Sequence, residues 1–449
     1  MVASFMREPE YLLQLKDGTI KQLNPFTGTE VWTIPGRADR PYQGTGEVPV
    51  ALDRSLTGRY CAFCEKRYYD TPPEKARVVI EGDGYVQLNE LTADELFDTV
   101  AEFRQFPNLY EIIGLDYWRR NYGYELPEAI KKRQADYLAT NAGRSQISNL
   151  LVAKRQSHLQ HTNRRPDDNI NYARGGDALL EASAALFGGS HDVIAARRHY
   201  VAGAQYDTQL AGSGTLTPAE HAEFIRFTAE AAHGLIQQNR YARYVVVFQN
   251  WLKPAGASFD HLHKQIVAID ENGDSNAAAI ARATGRPNIF NEAAANFAIQ
   301  NNLVIAENDY AIAFAGFGHR YPSIEIYSKS AANEPWAHSV DELIGFSDLL
   351  HAMHAVTGAD VPTNEEWHYR PIDATVPMPW RVVLKWRVSQ IAGFEGATRI
   401  YLNTISPAKI KKRVIHELLR LRSTGQVAQM RIGNECDPKP NPLRYQEAR

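Results

Sequence analysis

The stretch Gly256-Ala257-Ser258-Phe259-Asp260-His261-Leu262-His263-Lys264-Gln265 brings two imidazoles, an amide and a hydroxyl together, shortly after the apolar run Tyr244-Val245-Val246-Val247-Phe248. If 261–269 continues as a strand, side chains two apart share a face, so His261, His263 and Gln265 point the same way. A neutral imidazole is a good nucleophile near pH 7 and can carry a phosphoryl group covalently. The Gln265 amide and the Ser258 hydroxyl can donate to non-bridging oxygens as charge shifts onto them. The same residues also fit a hairpin with two ordinary histidines, and the His-x-His spacing alone does not separate the two readings.

A second constellation is Cys61-Ala62-Phe63-Cys64, followed by Thr71-Pro72-Pro73-Glu74. Two thiolates separated by two residues can reach one tetrahedral ion at about 2.3 Å. A redox pair wants a following helix whose N-terminus lowers the thiol pKa, and Thr71-Pro72-Pro73 soon interrupts any helix here. A zinc ion is therefore the expected occupant, with Cys436 left over as a bystander.

Composition sets the frame. The chain has 449 residues and 44% hydrophobic content, enough for two or three average domains with real cores. A net charge of −3 directs attention away from nucleic acid and anionic membrane surfaces, so a phosphate ligand must be steered locally. Three cysteines in so long a chain exclude a disulfide scaffold. No run of about eighteen apolar residues exists, and the first residues lack the apolar core of a secretion signal, which makes the cytoplasm the expected address and a membrane partner unexpected.

The elements that must position these groups can be read around them. Thr217-Pro218-Ala219-Glu220 opens a helix, with Thr217 as N-cap, Pro218 at the first helical position and Glu220 completing a capping box. Phe224, Phe227, Ala231 and Leu235 fall on one face of it. That helix delivers the chain to Tyr244. Near the N-terminus, the Asp17-Gly18 and Asn24-Pro25 turns separate short strands. Between about 111 and 188, helices are expected over 126–138, 146–153 and 178–186. Between the last two, Lys154, Arg155, His158, His161, Arg164, Arg165 and Arg174 form a basic segment, either a solvated loop or a lid over a phosphorylated ligand. Downstream, 305–327 reads as two strands about a turn, 340–356 as a helix, and 380–388, 391–395 and 400–402 as closing strands. A final helix runs from Ser406 through Leu421.

Residues 248–265 resemble the active-site strand of the galactose-1-phosphate uridylyltransferase family, a transferase branch of the histidine triad superfamily. That pattern runs Phe-Glu-Asn-Lys-Gly, a short loop, then Gly-x-Ser-x-x-His-Pro-His-x-Gln. Phe248, Asn250, Gly256, Ser258, His261, His263 and Gln265 match it, whereas Gln249, Trp251-Leu252 and Leu262 replace its Glu, Lys-Gly and Pro. Hydrolases of the superfamily carry a third His where Gln265 stands, so the resemblance implies nucleotidyl transfer rather than hydrolysis. Asn24 to Pro41 is similar to the family's opening segment, Cys61-x-x-Cys64 with Thr71-Pro72-Pro73-Glu74 to its metal loop, Phe106-Pro107-Asn108 to its nucleotide segment, and Ala392-Gly393-Phe394-Glu395 to a segment of its second half. The resemblance does not extend over 111–188.

What the resemblance implies is a duplicated α+β histidine-triad-like fold: residues 1–270 as a half carrying the active and zinc sites, with a helical insertion at about 111–188, then 271–430 as a second half and 431–449 as a tail. His263 would attack the α-phosphorus of a nucleotide sugar, and a sugar 1-phosphate would leave and be exchanged, as in galactose and wider carbohydrate metabolism. Gln265 and Ser258 would assist. Arg37, Arg40, Asn108, Asn250, Gly256 and Glu395 would contact nucleotide or phosphate. Zinc would be held by Cys61, Cys64, His261 and His199, with His191 as the alternative to His199. Pro379-Trp380-Arg381 stands where the family often has His-Trp-His, so a second metal of the iron type is not expected. Uridine and adenine, and a homodimer, stay open. The rivals are an adenylyl-transferring phosphorylase of the same superfamily, with inorganic phosphate as acceptor, and a silent nucleotide-sugar binding protein.

Overall fold

A computed structural model describes residues 10–36, 48–162, 176–389 and 391–447, and the side chains among these except 158–162. Arg37, Arg40, Arg164, Arg165 and Arg174 lie outside the described residues. The strands are β1 (Leu12–Gln14), β2 (Ile20–Leu23), β3 (Glu30–Thr33), β4 (Ala76–Glu81), β5 (Gly84–Asn89), β6 (Ala101–Pro107), β7 (His191–Ala196), β8 (Tyr244–Trp251) and β9 (His263–Ile269). They continue with β10 (Val304–Glu307), β11 (Ala311–Ala315), β12 (Ser323–Ser328), β13 (Thr363–His368), β14 (Arg381–Trp386), β15 (Ile400–Leu402) and β16 (Arg431–Ile432).

Twelve of these strands form one sheet in the order β16-β10-β11-β12-β14-β13-β8-β9-β7-β6-β4-β5. Outward from the central β8 and β13 pair, the order 8-9-7-6-4 on one side repeats as 13-14-12-11-10 on the other. The fold is thus a duplicated α+β unit, as the resemblance implies. Each unit has an antiparallel run, a long helix and a returning strand pair. The helices are α6 (Pro218–Gln238) and α9 (Val340–Thr357), and both start with a reciprocal capping box. In α6, Glu220 N–H donates to Thr217 Oγ1 at 3.2 Å and Thr217 N–H to Glu220 Oε2 at 2.7 Å. Ser339 and Glu342 repeat that exchange in α9. Two of the free amides at each helix start are satisfied in this way, out of four in α9 and three in α6, where Pro218 carries no N–H.

The two helices share one core with the sheet. Phe224, Phe227 and Leu235 of α6 are buried with Leu349, Leu350 and Met353 of α9, and with Ile266 and Ala268 of β9. Because side chains alternate along a strand, this placement turns His263 and Gln265 to the opposite face. A small four-stranded sheet, β1-β2-β3-β15, completes the β structure.

The insertion is helical, with α1 (Leu115–Tyr122), α2 (Glu128–Ala139), α3 (Asn141–Thr162), α4 (Asp177–Ser183) and α5 (Ala185–Gly188). It carries its own small core around Tyr137, Ile147, Leu179 and Phe187. Helix α3 runs farther than its apolar pattern indicates, so Lys154 to His161 are helical rather than loop. After it come α7 (Gly273–Gly285), α8 (Asn296–Gln300), α10 (Gly393–Thr398) and α11 (Pro407–Ser423). Among the described residues no helix is long and apolar enough to cross a membrane.

Two local expectations need correction. Residues 391–395 do not form a strand: Gly393 to Thr398 is the short helix α10, started by Ala392 N–H donating to Glu395 Oε2 at 3.1 Å. So short an apolar run carries no period that separates helix from strand. The span 305–327 holds three strands rather than two. Asn308 Oδ1 accepts from Tyr310 N–H and Ala311 N–H at 2.9 and 2.8 Å and breaks the first of them, the turn chemistry of an Asn side chain that mimics backbone.

Candidate active site

His261, His263 and Gln265 share one face of the sheet at the start of β9. His263 faces Ala195 on β7, and Gln265 faces Val193 on β7 and Phe248 on β8. The small Ala195 leaves a hollow beside the imidazole, which Phe63 fills, its ring centroid 5.3 Å from that of His263 in an edge-on arrangement. Phe63 also meets Phe259 at 4.5 Å. Nothing in the spacing of Cys61 and Cys64 announces that the residue between them covers the imidazole.

The tautomer of His263 follows from one contact. Its Nδ1 lies 2.7 Å from the carbonyl oxygen of His261. A carbonyl can only accept, so Nδ1 carries the proton and Nε2 keeps the lone pair. Burial pushes the His263 pKa down to about 4 against the pull of that carbonyl. The ring is therefore neutral at pH 7, and it is 4% exposed.

Gln265 is held from behind. Its Oε1 is 3.0 Å from His191 Nε2 and 3.4 Å from Asn108 Nδ2. His191 is 1% exposed, and burial lowers its pKa. Asn108 spends its own Oδ1 on Tyr110 N–H at 2.9 Å. Asn250 Oδ1 accepts from Asn364 Nδ2 of the other half at 2.7 Å. Gly256 sits beside Asn250 with φ +90°, a left-handed conformation that L side chains resist. Ser258 is exposed in the loop before His261. Glu395 caps α10, and no hydrogen bond among the described residues joins it or Ser258 to His263.

Below this group lies the Cys and His cluster, in which Cys61, Cys64, His199 and His261 place their ligand atoms within 4.8 Å of one another. The two sulfurs are 3.9 Å apart, and His261 Nδ1 is 3.3 Å from Cys61 Sγ, 3.8 Å from Cys64 Sγ and 3.3 Å from His199 Nδ1. His199 Nδ1 is 3.6 Å from Cys64 Sγ. A tetrahedral zinc with ordinary bond lengths has edges of about 3.8 Å between sulfurs and about 3.3 Å between nitrogens, so the quartet is compatible with a zinc site. The tautomer agrees: His261 Nε2–H donates to the Ala196 carbonyl at 2.6 Å, which leaves Nδ1 to present its lone pair inward. The hydrogen bond between the sulfurs pushes the Cys61 thiol up and holds Cys64 well below the usual thiol range. Of the two histidines open from sequence, His199 enters the quartet and His191 belongs to Gln265. A cavity of about 550 Å³ lies against Cys64 and His199, lined also by Arg54, Tyr60, Arg197 and Arg198.

On the opposite face, Lys264 Nζ approaches Gln249 Oε1 at 3.2 Å and Glu365 Oε1 at 2.5 Å. Gln249 and Glu365 are direct partners across the β8 and β13 pairing. Gln249, where the family pattern has Glu, thus shares Lys264 with a carboxylate one strand over.

A family profile described as "Domain of unknown function (DUF4921)" matches residues 15–445. The ADP-glucose phosphorylase of Arabidopsis thaliana is 27% identical over 189 residues, 39% of this chain and 53% of that protein. The chain therefore spans about half the length of the curated relative it matches. Among solved structures, an ADP-glucose phosphorylase from Arabidopsis thaliana with bound ADP-glucose aligns with TM-score 0.55 and 18% identity, covering 88% of this chain and 98% of that one. A galactose-1-phosphate-uridylyltransferase-like protein from the same plant aligns with TM-score 0.52 and 18% identity, covering 88% and 97%. At that identity the likeness is one of fold.

Proposed function

The chain belongs to the DUF4921 family, and we propose that it is a nucleotidyltransferase of the galactose-1-phosphate uridylyltransferase type, exchanging a nucleoside monophosphate between a nucleotide sugar and a sugar 1-phosphate. The observation that supports this most is the pairing of a neutral imidazole, whose Nε2 is freed by the Nδ1 to His261 contact, with a back-anchored Gln265 amide on the same face. His263 Nε2 attacks the α-phosphorus, a nitrogen to phosphorus bond forms, and the bond to the sugar-phosphate oxygen breaks. In the second step an incoming phosphate oxygen takes the nucleotidyl group and returns the imidazole neutral. No general base is needed to create the nucleophile, and no water has to be activated. Gln265 donates to a non-bridging oxygen, a kind of contact worth a few kcal/mol, roughly 2.7–4, in the transition state.

Cys61, Cys64, His199 and His261 would hold zinc, which would tie the Cys loop to the start of β9 and steady the strand that carries His263. On this reading Asn250 and Gly256 would contact the nucleotide, and Arg37 and Arg40, which lie outside the described residues, would contact phosphate.

A second reading keeps the first half-reaction and changes the acceptor to inorganic phosphate, which makes the protein an adenylyl-transferring phosphorylase. The relative matched over 189 residues favours it. One experiment separates them. Protein incubated with UDP-glucose or ADP-glucose labelled at the α-phosphate is expected to retain acid-labile, alkali-stable label, and His263→Ala none. Galactose 1-phosphate as chase should release label as a nucleotide sugar, whereas inorganic phosphate should release it as a nucleoside diphosphate. Absence of label from both donors would reject covalent transfer.

A further inference from the structure

The Gln265 carboxamide has two chemically opposite ends, and only its NH2 end can serve an oxyanion. What decides which end faces His263 is not Gln265 itself but a chain of contacts that starts at two backbone amides where the helical insertion leaves the sheet. Ile112 N–H donates to His191 Nδ1 at 3.1 Å. A backbone amide can only donate, so that nitrogen must be an acceptor, and the ring proton resides on Nε2. Nε2–H then donates to Gln265 at 3.0 Å, which makes the atom it meets the carbonyl oxygen, Oε1. Tyr110 N–H fixes Asn108 Oδ1 at 2.9 Å and turns the Asn108 NH2 into the same corner, 3.1 Å from His191 Nε2 and 3.4 Å from the Gln265 oxygen, the one acceptor that both nitrogens share there. Asn108 N–H donates to the His191 carbonyl at 2.7 Å and ties the two supports together. The reversed carboxamide would set its NH2 against two donors.

We propose that His191 is a positioning residue for nucleotidyl transfer: it reads the direction of the Ile112 backbone amide and passes it to Gln265, so that the Gln265 NH2 is presented to the phosphoryl oxygens beside His263. The proposal rests on the reading of His263 as nucleophile. It gives the start of the insertion a function, since 108–112 sets the polarity of an amide on β9. Among the described residues, the Gln265 Nε2 has no hydrogen-bond partner of its own, as a group reserved for a ligand requires.

The test uses the full chain and three variants. His191→Phe keeps the ring shape and removes both contacts, His191→Gln restores a donor near the Nε2 position, and His191→Phe is also placed in a Gln265→Ala background. The expected pattern is a fall in kcat of tenfold or more for His191→Phe with KM within about threefold of wild type, recovery of most of that loss in His191→Gln, and no further loss when His191→Phe is added to Gln265→Ala. An equal loss in both backgrounds, or wild-type kcat in His191→Phe beside an impaired Gln265→Ala, would overturn it. A second readout needs no turnover: 15N spectra of histidine-labelled wild type should show His191 protonated at Nε2 and bare at Nδ1 near pH 8. The opposite tautomer refutes the relay even if the labelling of His263 succeeds, and the expected tautomer stands even if that labelling fails.

Discussion

Lys264 Nζ lies 2.5 Å from Glu365 Oε1, with both side chains fully withdrawn from solvent. Lys264 is next to the candidate nucleophile in sequence but points through the sheet to the helix side, where it adds an ion pair to the β8 and β13 pairing that joins the two halves. Burial alone would drive the lysine toward neutrality, and the Glu365 charge opposes that. Glu365 is held well below the usual carboxylate range by Lys264 and His354, the latter at 2.7 Å. Trp367 Nε1–H also donates to it at 2.5 Å.

Removing one partner leaves a buried charge without compensation. Glu365→Gln or Lys264→Met is therefore expected to cost about 3–5 kcal/mol in urea unfolding. Lys264→Met with Glu365→Gln together should cost clearly less than the two single losses added. Additive losses would mean that the two side chains do not sense one another.

The visibility of these features in the sequence follows their separation along the chain. His261, His263 and Gln265 were legible because a strand has a period of two and they obey it within five residues. Cys61 and Cys64 were legible for the same local reason. His199 and His191 were not separable, since either side chain meets its partners only through strand pairings that close over 60 or more residues. The Lys264 and Glu365 pair spans 101 positions and leaves no local trace. The duplication was legible through the family resemblance and a weak repeat of strand-helix-strand order, because the two halves share strand order and capping chemistry rather than sequence. The 391–395 segment failed as a strand because five residues around one glycine carry no period.

The metal quartet predicts about one zinc per chain in the protein as purified, measured by elemental analysis. Cys61→Ser and His199→Ala should each lose it, and the melting midpoint should fall in both, as should that of wild type after exhaustive chelation. His191→Phe should keep it. A metal-free wild type with the same midpoint would reject the ligand set.

Part of the acid sensitivity should come from histidines buried as neutral rings between α6 and α9, beside the share of His263 and His368, which burial also pushes down to about 4. His351 is pushed down to about 4 by burial, although its Nε2–H donates to the Leu216 carbonyl at 2.7 Å. His221, 5.3 Å away ring to ring, is driven in the same direction. Their folded values lie below the unfolded value of about 6.5, so between those limits the unfolded chain binds more protons than the folded one. Stability is then full above pH 6.5 and falls as the pH drops toward 4, by about 3 kcal/mol for His351 alone. His351→Gln, which can still donate to Leu216, should flatten the acid side of urea midpoints measured from pH 7 to pH 4.5. An unchanged pH slope would locate the acid sensitivity elsewhere.

Two glycines, one before α6 and one within it, should respond in opposite directions to the same added methyl. A Cβ built on Gly214 falls 2.4 Å from the Ala355 backbone nitrogen and 2.5 Å from its Cα. These atoms belong to α9 itself and cannot rotate away, so Gly214→Ala must lift the helix from the segment that precedes α6. Overpacking of this kind costs about 1–3 kcal/mol, and it would also disturb Ser213, which donates to Gln249 at 3.0 Å behind the active strand. Gly234, by contrast, is exposed in α6 with nothing within 4 Å of the added methyl. There Gly234→Ala removes only the conformational freedom that glycine brings to a helix and should stabilise by about 0.5–1 kcal/mol. Chemical denaturation of the two variants checks both signs at once. A neutral Gly214→Ala would mean that α9 does not pack as closely on the 213–215 turn as the distances require.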